Sequence, residues 1–141
     1  MLFDVGEKMK LWIGAEMSAD VADAWRVARN ATEASINELL QKREYELPVT
    51  QWNCIGIVRD DANFAERATY SKKKRSMDFR LSIDHDRFKT ASSAIRERMV
   101  FEMLLRSLEI LCAKSGEAAG IELLTKDIKE LAVTKGWISK Q

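Results

Sequence analysis

A strict alternation of apolar and polar residues from Met77 to Asp84 restricts the possible folds more than any other feature of the chain. Successive side chains of a β-strand point to opposite faces, so the pattern predicts a strand with one buried and one polar face. A similar alternation from Lys8 to Met17 predicts a second strand. Between them, Gln51 to Arg59 is apolar on both faces, which is typical of a central strand.

Three longer segments follow helical spacing. We predict helices from about Ala19 to Lys42, from Ser92 to Lys114 and from Gly120 to Lys135, because apolar residues recur on one side of each segment. Ser18 is suited to cap the first of these helices. The segments therefore supply a helical layer that can cover the apolar side of a sheet.

The order strand, helix, strand, strand, helix, helix predicts an α+β fold. We expect a small three- to four-stranded, mostly antiparallel sheet packed against three main helices. Residues 49–88 are interpreted as a meander, in which Asp60 to Tyr70 forms a loop or short helix and Ser71 to Arg75 a basic connecting arm. A length of 141 residues favours a single domain spanning residues 1–141.

Composition and targeting signals exclude several classes of protein. The 23 basic and 22 acidic residues give a net charge of +1, which argues against nucleic-acid binding along the whole surface and against a polybasic membrane-surface protein. We find no signal peptide and no apolar run near the roughly 20 residues of a membrane span. Cys54 and Cys112 stand among apolar neighbours and are expected to be buried free thiols. These features predict a cytoplasmic protein without membrane or direct nucleic-acid contacts.

Charge is unevenly distributed along the chain. Residues 1–46 contain nine acidic and six basic residues, whereas residues 59–98 contain seven acidic and eleven basic residues. Such asymmetry suits electrostatically steered association with another protein. Acidic side chains on the polar strand faces and in the polar connecting segment are therefore the candidate partner-binding residues: Glu16, Asp60, Asp61, Glu66, Asp78 and Asp84.

Catalytic motifs are not found, and we predict no catalytic residue, metal or cofactor. The chain lacks GxSxG, GxGxxG and P-loop patterns. Its one histidine, His85, lies between Asp84 and Asp86, which leaves a small metal-dependent hydrolase as an alternative. Adjacent strand residues point to opposite faces, however, so we interpret this run as a polar turn. A second alternative is a nucleic-acid-binding module that uses Lys72 to Arg75, which we interpret as a solvated hairpin arm.

Several segments together resemble a known protein family. They read KLWIGAEMSADVADAWRVARNATEASIN, QWNCIGIVRDD, SMDFRLSIDHDRF and FEMLLRSLEIL, followed by Gly136-Trp137. From about Lys8 to Trp137 the chain resembles the immunity protein 44 family of bacterial polymorphic-toxin and contact-dependent growth inhibition systems. The resemblance implies a non-enzymatic cytoplasmic protein that binds the C-terminal toxin domain of a cognate effector, commonly a nuclease, and occludes its active or substrate site.

Overall fold

A computed structural model of the chain describes residues 9–43, 45–59, 63–116 and 119–138. The strands are β1 (Lys10–Glu16), β2 (Gln51–Arg59), β3 (Arg67–Ser71) and β4 (Ser76–Asp84). The helices are α1 (Ala19–Lys42), α2 (His85–Thr90), α3 (Ser93–Ser115) and α4 (Ala119–Lys135). A four-stranded sheet with three long helices confirms the predicted α+β class.

Strand pairing differs from the prediction. The strand order is β1-β2-β4-β3, in which β1 pairs with β2 and β2 with β4 in parallel, and β3 pairs with β4 antiparallel. The expectation of a mostly antiparallel sheet with a meander over residues 49–88 is therefore wrong. The connection through α1 carries the chain back to the end of the sheet where β1 began, so β2 runs in the same direction as β1. Strand β3 forms the outer edge of the sheet, and β4 lies between β3 and β2. Strand β4 therefore runs antiparallel to β3 and parallel to β2.

Two short elements replace segments that we interpreted as irregular. Strand β3 lies within the stretch predicted to be a loop or short helix, and its Ala68 and Tyr70 pack against the core. Helix α2 replaces the predicted polar turn after β4. Its first turn is capped by the Asp84 carboxylate, which accepts a hydrogen bond of 2.7 Å from the backbone N–H of Arg87.

The helices pack on one face of the sheet. Alternate side chains of β1, β2 and β4 point into this layer, and Trp52, Met77 and Phe79 are each at most 1% exposed. Helices α1 and α3 supply the opposing apolar residues, among them Ile36 and Phe101. The opposite face of the sheet lies outside this core, and its polar side chains are the ones predicted from the alternation.

A buried carboxylate joins α4 to the chain that follows α1. Asp127 is 8% exposed and accepts hydrogen bonds from Arg43 Nη1 at 2.9 Å and from the Tyr45 hydroxyl at 3.0 Å. Burial and the Asp127 carboxylate both raise the pKa of Tyr45, so the phenol remains a donor at neutral pH. These bonds compensate the cost of burying the charge of Asp127 and fix the position of α4.

The first turn of α4 makes a close contact that explains a glycine inside a helix. A Cβ atom added to Gly120 would lie 1.8 Å from the backbone carbonyl oxygen of Glu46. We therefore expect Gly120→Ala to lower the free energy of unfolding by about 1–3 kcal/mol through overpacking. Helix propensity alone predicts the opposite sign, a gain of up to about 1 kcal/mol.

Urea unfolding followed by circular dichroism measures this difference. Lys126→Ala, at an exposed position of the same helix, serves as the control and should change stability by no more than about 0.5 kcal/mol. A Gly120→Ala protein that is more stable than the wild type would show that Glu46 does not restrict this site.

Candidate functional site

The sheet surface opposite the helices is the candidate site, and we call it the open sheet face. Strand register places the polar side chains of all four strands on it. Its members alternate with the core residues and form rows across the strands. They are Lys10, Trp12, Gly14, Glu16, Gln51, Asn53, Ile55, Ile57, Arg59, Arg67, Thr69, Ser71, Ser76, Asp78, Arg80, Ser82 and Asp84.

An exposed tryptophan lies at the β1 edge of the open sheet face. Trp12 is 47% exposed, although large aromatic side chains are mostly buried. A Cβ atom added to Gly14, two residues further along the same face, would lie 2.0 Å from the nearest Trp12 ring atom. The indole therefore lies directly against the Gly14 backbone, where only glycine leaves room for it. Contact with the strand restricts the ring while leaving about half of its surface accessible.

An ion pair crosses the middle of the face. Arg80 Nη2 lies 2.9 Å from both carboxylate oxygens of Glu16, although β2 separates the strands that carry these residues. In the strand register, Arg80 is level with Ile55 and Glu16 is level with Ile57. The pair must therefore pass over β2, where Ile57, the register neighbour of Glu16, is only 3% exposed although it lies outside the main core. Both charged side chains are about half exposed, so the pair stabilises the fold by at most about 1 kcal/mol.

The two other carboxylates predicted on this face are also hydrogen-bonded. Asn53 Nδ2 donates to Asp78 Oδ1 at 2.8 Å, between residues that are directly paired on β2 and β4. Asp84 lies at the end of β4, where its side chain caps α2. The structure thus brings Glu16, Asp78 and Asp84 onto one surface, as the alternation predicted, and gives each carboxylate a partner within the protein.

Of the remaining predicted acidic residues, only Glu66 belongs to the described part of the chain, and it does not join this surface. Glu66 precedes β3, and its Oε2 lies 3.4 Å from Arg106 Nε on α3, on the helical side of the sheet. Asp60 and Asp61 lie outside the described residues. The open sheet face therefore contains three of the six predicted residues, together with Trp12 and several basic residues.

The region around His85 links α2 to α1. His85 Nδ1 lies 3.4 Å from Asp86 Oδ1, and His85 Nε2 lies 3.8 Å from Asp20 Oδ2. Lys89 Nζ lies 3.2 Å from the same Asp20 oxygen. Hydrogen bonds from Ser18 and Lys89 lower the pKa of Asp20, so this carboxylate is ionised at neutral pH. Among the described residues, no group of three or more His, Cys, Asp or Glu side chains is arranged to hold a metal ion.

The two cysteines occupy different environments. Cys54 is fully buried, and burial raises the pKa of its thiol to about 12. Cys112 is partly exposed, in an open groove of about 1220 Å³ between α3 and α4. The prediction of two free thiols is confirmed, but the structure buries only one of them completely.

Sequence reasoning placed the acidic residues of the open sheet face and overlooked a basic pair. Arg67 of β3 and Arg80 of β4 are directly opposite each other in the antiparallel register. The pair was missed because β3 was interpreted as a loop or short helix. The weak alternation around Ala68 and Tyr70 was the signal that could have revealed it.

Comparisons with known proteins connect this architecture to one family. None of the described helices combines the length and the apolar character that crossing a membrane requires. Searches of curated proteins and of solved structures found no match. The family model for Immunity protein 44 matches residues 9–133, from just before β1 to near the end of α4, and confirms the predicted resemblance. The chain therefore belongs to the Immunity protein 44 family.

Proposed function

We propose that this protein binds the C-terminal toxin domain of a cognate bacterial effector in the cytoplasm and neutralises it through the open sheet face. One observation carries the choice of surface: Trp12 is exposed and held against Gly14, beside polar side chains that are already fixed by pairing. Membership of an immunity-protein family supports the inhibitory role.

The physical properties of this surface suit a protein partner. Tryptophan is enriched among the few interface residues that contribute most binding energy. Contact with Gly14 restricts the Trp12 ring before binding, which reduces the conformational entropy lost in the complex. The Glu16–Arg80 and Asn53–Asp78 pairs likewise hold polar groups in place without a partner. A preorganised face of this kind favours binding with little rearrangement.

Neutralisation in this proposal needs no chemistry from the protein itself. The toxin is a nuclease, and the bound protein covers its active site or the path of its nucleic-acid substrate. Asp84, the first member of the Asp84–His85–Asp86 run, caps α2, and the described residues offer no cluster of three or more His, Cys, Asp or Glu side chains that could hold a metal ion. The geometry therefore favours an inhibitor over the alternative of a small metal-dependent hydrolase.

Gly14→Val tests the choice of surface in cells. Valine suits a strand, but its side chain would occupy the space of the Trp12 ring and displace it. We expect cells that express the cognate toxin domain to survive with the wild-type protein and to lose most protection with Gly14→Val.

Val27→Ser on α1 is the control, because Val27 is 61% exposed and lies away from the open sheet face. Thermal unfolding of both purified variants checks that they remain folded. Full protection by folded Gly14→Val, together with loss of protection by Val27→Ser, would place the contact on the helical side instead.

A further inference from the structure

The charges of the open sheet face are unbalanced once its internal pairs are considered. Glu16 is paired with the cation Arg80, whereas Asp78 and Asp84 accept hydrogen bonds from neutral groups and keep their negative charge. In contrast, Arg67 and the lysines from Lys72 to Lys74 are exposed and form no ion pair with any other described residue. The five basic residues Arg67, Lys72, Lys73, Lys74 and Arg80 outnumber these two carboxylates, so the β3–β4 half of this face has a net positive charge.

Arg67 also lies opposite a second cation, Arg80. Arg67 and Arg80 are directly opposite on neighbouring strands, where like charges destabilise a sheet. Arg80 contacts Glu16 through Nη2 alone, so this contact leaves its other guanidinium N–H groups available for a further acceptor. A carboxylate placed beside Arg67 and Arg80 would relieve the repulsion and form charge-assisted hydrogen bonds.

The lysines are carried by a turn that the rest of the fold holds in place. Arg75 donates from Nη2 to the carbonyl oxygen of Leu47 at 2.9 Å, and its own carbonyl accepts from the Thr50 N–H at 2.8 Å. Within the turn, the Lys74 N–H donates to Ser71 Oγ at 3.2 Å. We call residues 72–74 the basic turn. It stands at one end of the open sheet face, next to Ser71 and the first residue of β4.

From this arrangement we infer that the toxin surface contacted by the β3–β4 half of the open sheet face is acidic. Aspartate and glutamate side chains of the toxin pair with Arg67, Arg80 and the basic turn. This inference rests on the proposed function. It assigns the main contact to basic residues of this protein, whereas the sequence analysis named acidic residues as the candidates. Because the lysines lie at the rim of the face, they act mainly on the association rate.

A triple variant of the basic turn tests the inference. We expect Lys72→Glu, Lys73→Glu and Lys74→Glu together to slow association with the purified, catalytically inactive toxin domain by about tenfold or more at low salt. Wild-type association should slow as ionic strength rises, and the variant should lose most of this dependence. Surface plasmon resonance at several salt concentrations provides both quantities.

The matched control is Lys126→Glu, Lys129→Glu and Lys135→Glu on α4, which makes the same change in net charge at exposed sites on the helical layer. It should associate with the toxin domain within about twofold of the wild-type rate at moderate salt, where distant charges are screened. Arg67→Glu provides a second test that leaves the turn intact, and it should also weaken binding.

The outcomes separate this inference from the proposal on which it rests. If both the triple variant and Arg67→Glu bind like the wild type while Gly14→Val fails to bind, the acidic contact is wrong and the open sheet face still holds. If Gly14→Val also binds like the wild type, the open sheet face itself is wrong. A third outcome would also overturn the inference. If the wild-type protein binds a DNA duplex in a salt-sensitive way, and the triple variant loses this binding but still binds the toxin normally, the basic turn is a nucleic-acid contact.

Discussion

Replacing Trp12 with alanine is expected to weaken binding of the cognate toxin domain by about 30-fold or more, which corresponds to at least about 2 kcal/mol. The indole is the largest exposed apolar group on the open sheet face, and its contact with Gly14 holds it in place before binding. Isothermal titration calorimetry with the inactive toxin domain measures the loss.

Exposure-matched controls distinguish a specific contact from a general loss of apolar surface. Ile95 on α3 is 45% exposed, close to the 47% of Trp12, and Ile95→Ala should leave toxin affinity nearly unchanged. Trp12→Ala should change the free energy of unfolding far less than toxin affinity, because half of the ring is already in water. A loss of less than threefold in Trp12→Ala would remove Trp12 from the interface.

The second large effect concerns the core beneath the sheet. Trp52 is completely buried near the start of β2, with its ring centroid 5.9 Å from that of Phe79. Trp52→Ala is expected to lower the free energy of unfolding by about 3–5 kcal/mol, because the helices cannot close fully over the space left behind. Denaturant unfolding of the purified protein measures this change.

Trp52→Phe is the matched comparison. The indole Nε1 of Trp52 is buried and has no hydrogen-bond partner among the described residues, so phenylalanine removes a donor without breaking a bond. We expect this variant to lose less than about 1.5 kcal/mol, since the smaller ring keeps most of the packing. A loss as large as that of alanine would show that the indole nitrogen or its shape has a role that the packing does not explain.

The sequence predicted well those helices and strands in which apolar residues recur at a regular helical or strand spacing. The bounds of α1 and β2 agree with the prediction at both ends, because Ser18 precedes a continuous helical stripe and Gln51 to Arg59 is bounded by polar or turn-forming residues. Strand β4 was equally clear from its alternation. In these segments, the local preference and the tertiary burial favour the same structure.

The order of the strands could not be derived in the same way. Strand β3 has five residues, and only Ala68 and Tyr70 face the core, so its alternation is too weak to recognise. Without β3, the residues between β2 and β4 suggest a simple antiparallel connection. The parallel pairing of β2 with β4 depends on long-range contacts through which β4 inserts between β2 and β3.

The sequence predicted several residues of the candidate site but not which of their side chains pair with each other. Alternation correctly put Glu16 and Asp78 on one face. That Arg80 reaches across β2 to Glu16 follows only from the strand order and register. The register also brings Arg67 next to Arg80, so basic residues outnumber carboxylates on the β3–β4 half of this surface.

Hydroxyl-radical footprinting of the protein with and without its toxin domain tests the central claim most directly. In the described part of the chain, the large apolar side chains that stand exposed are Trp12 on the open sheet face and Val27 and Ile95 on the helical layer. If the open sheet face binds the toxin, oxidation of Trp12 falls sharply in the complex, while Val27 and Ile95 react as they do in the free protein. Unchanged oxidation of Trp12, with protection of Val27 and Ile95, would contradict the account and place the interface on the helices.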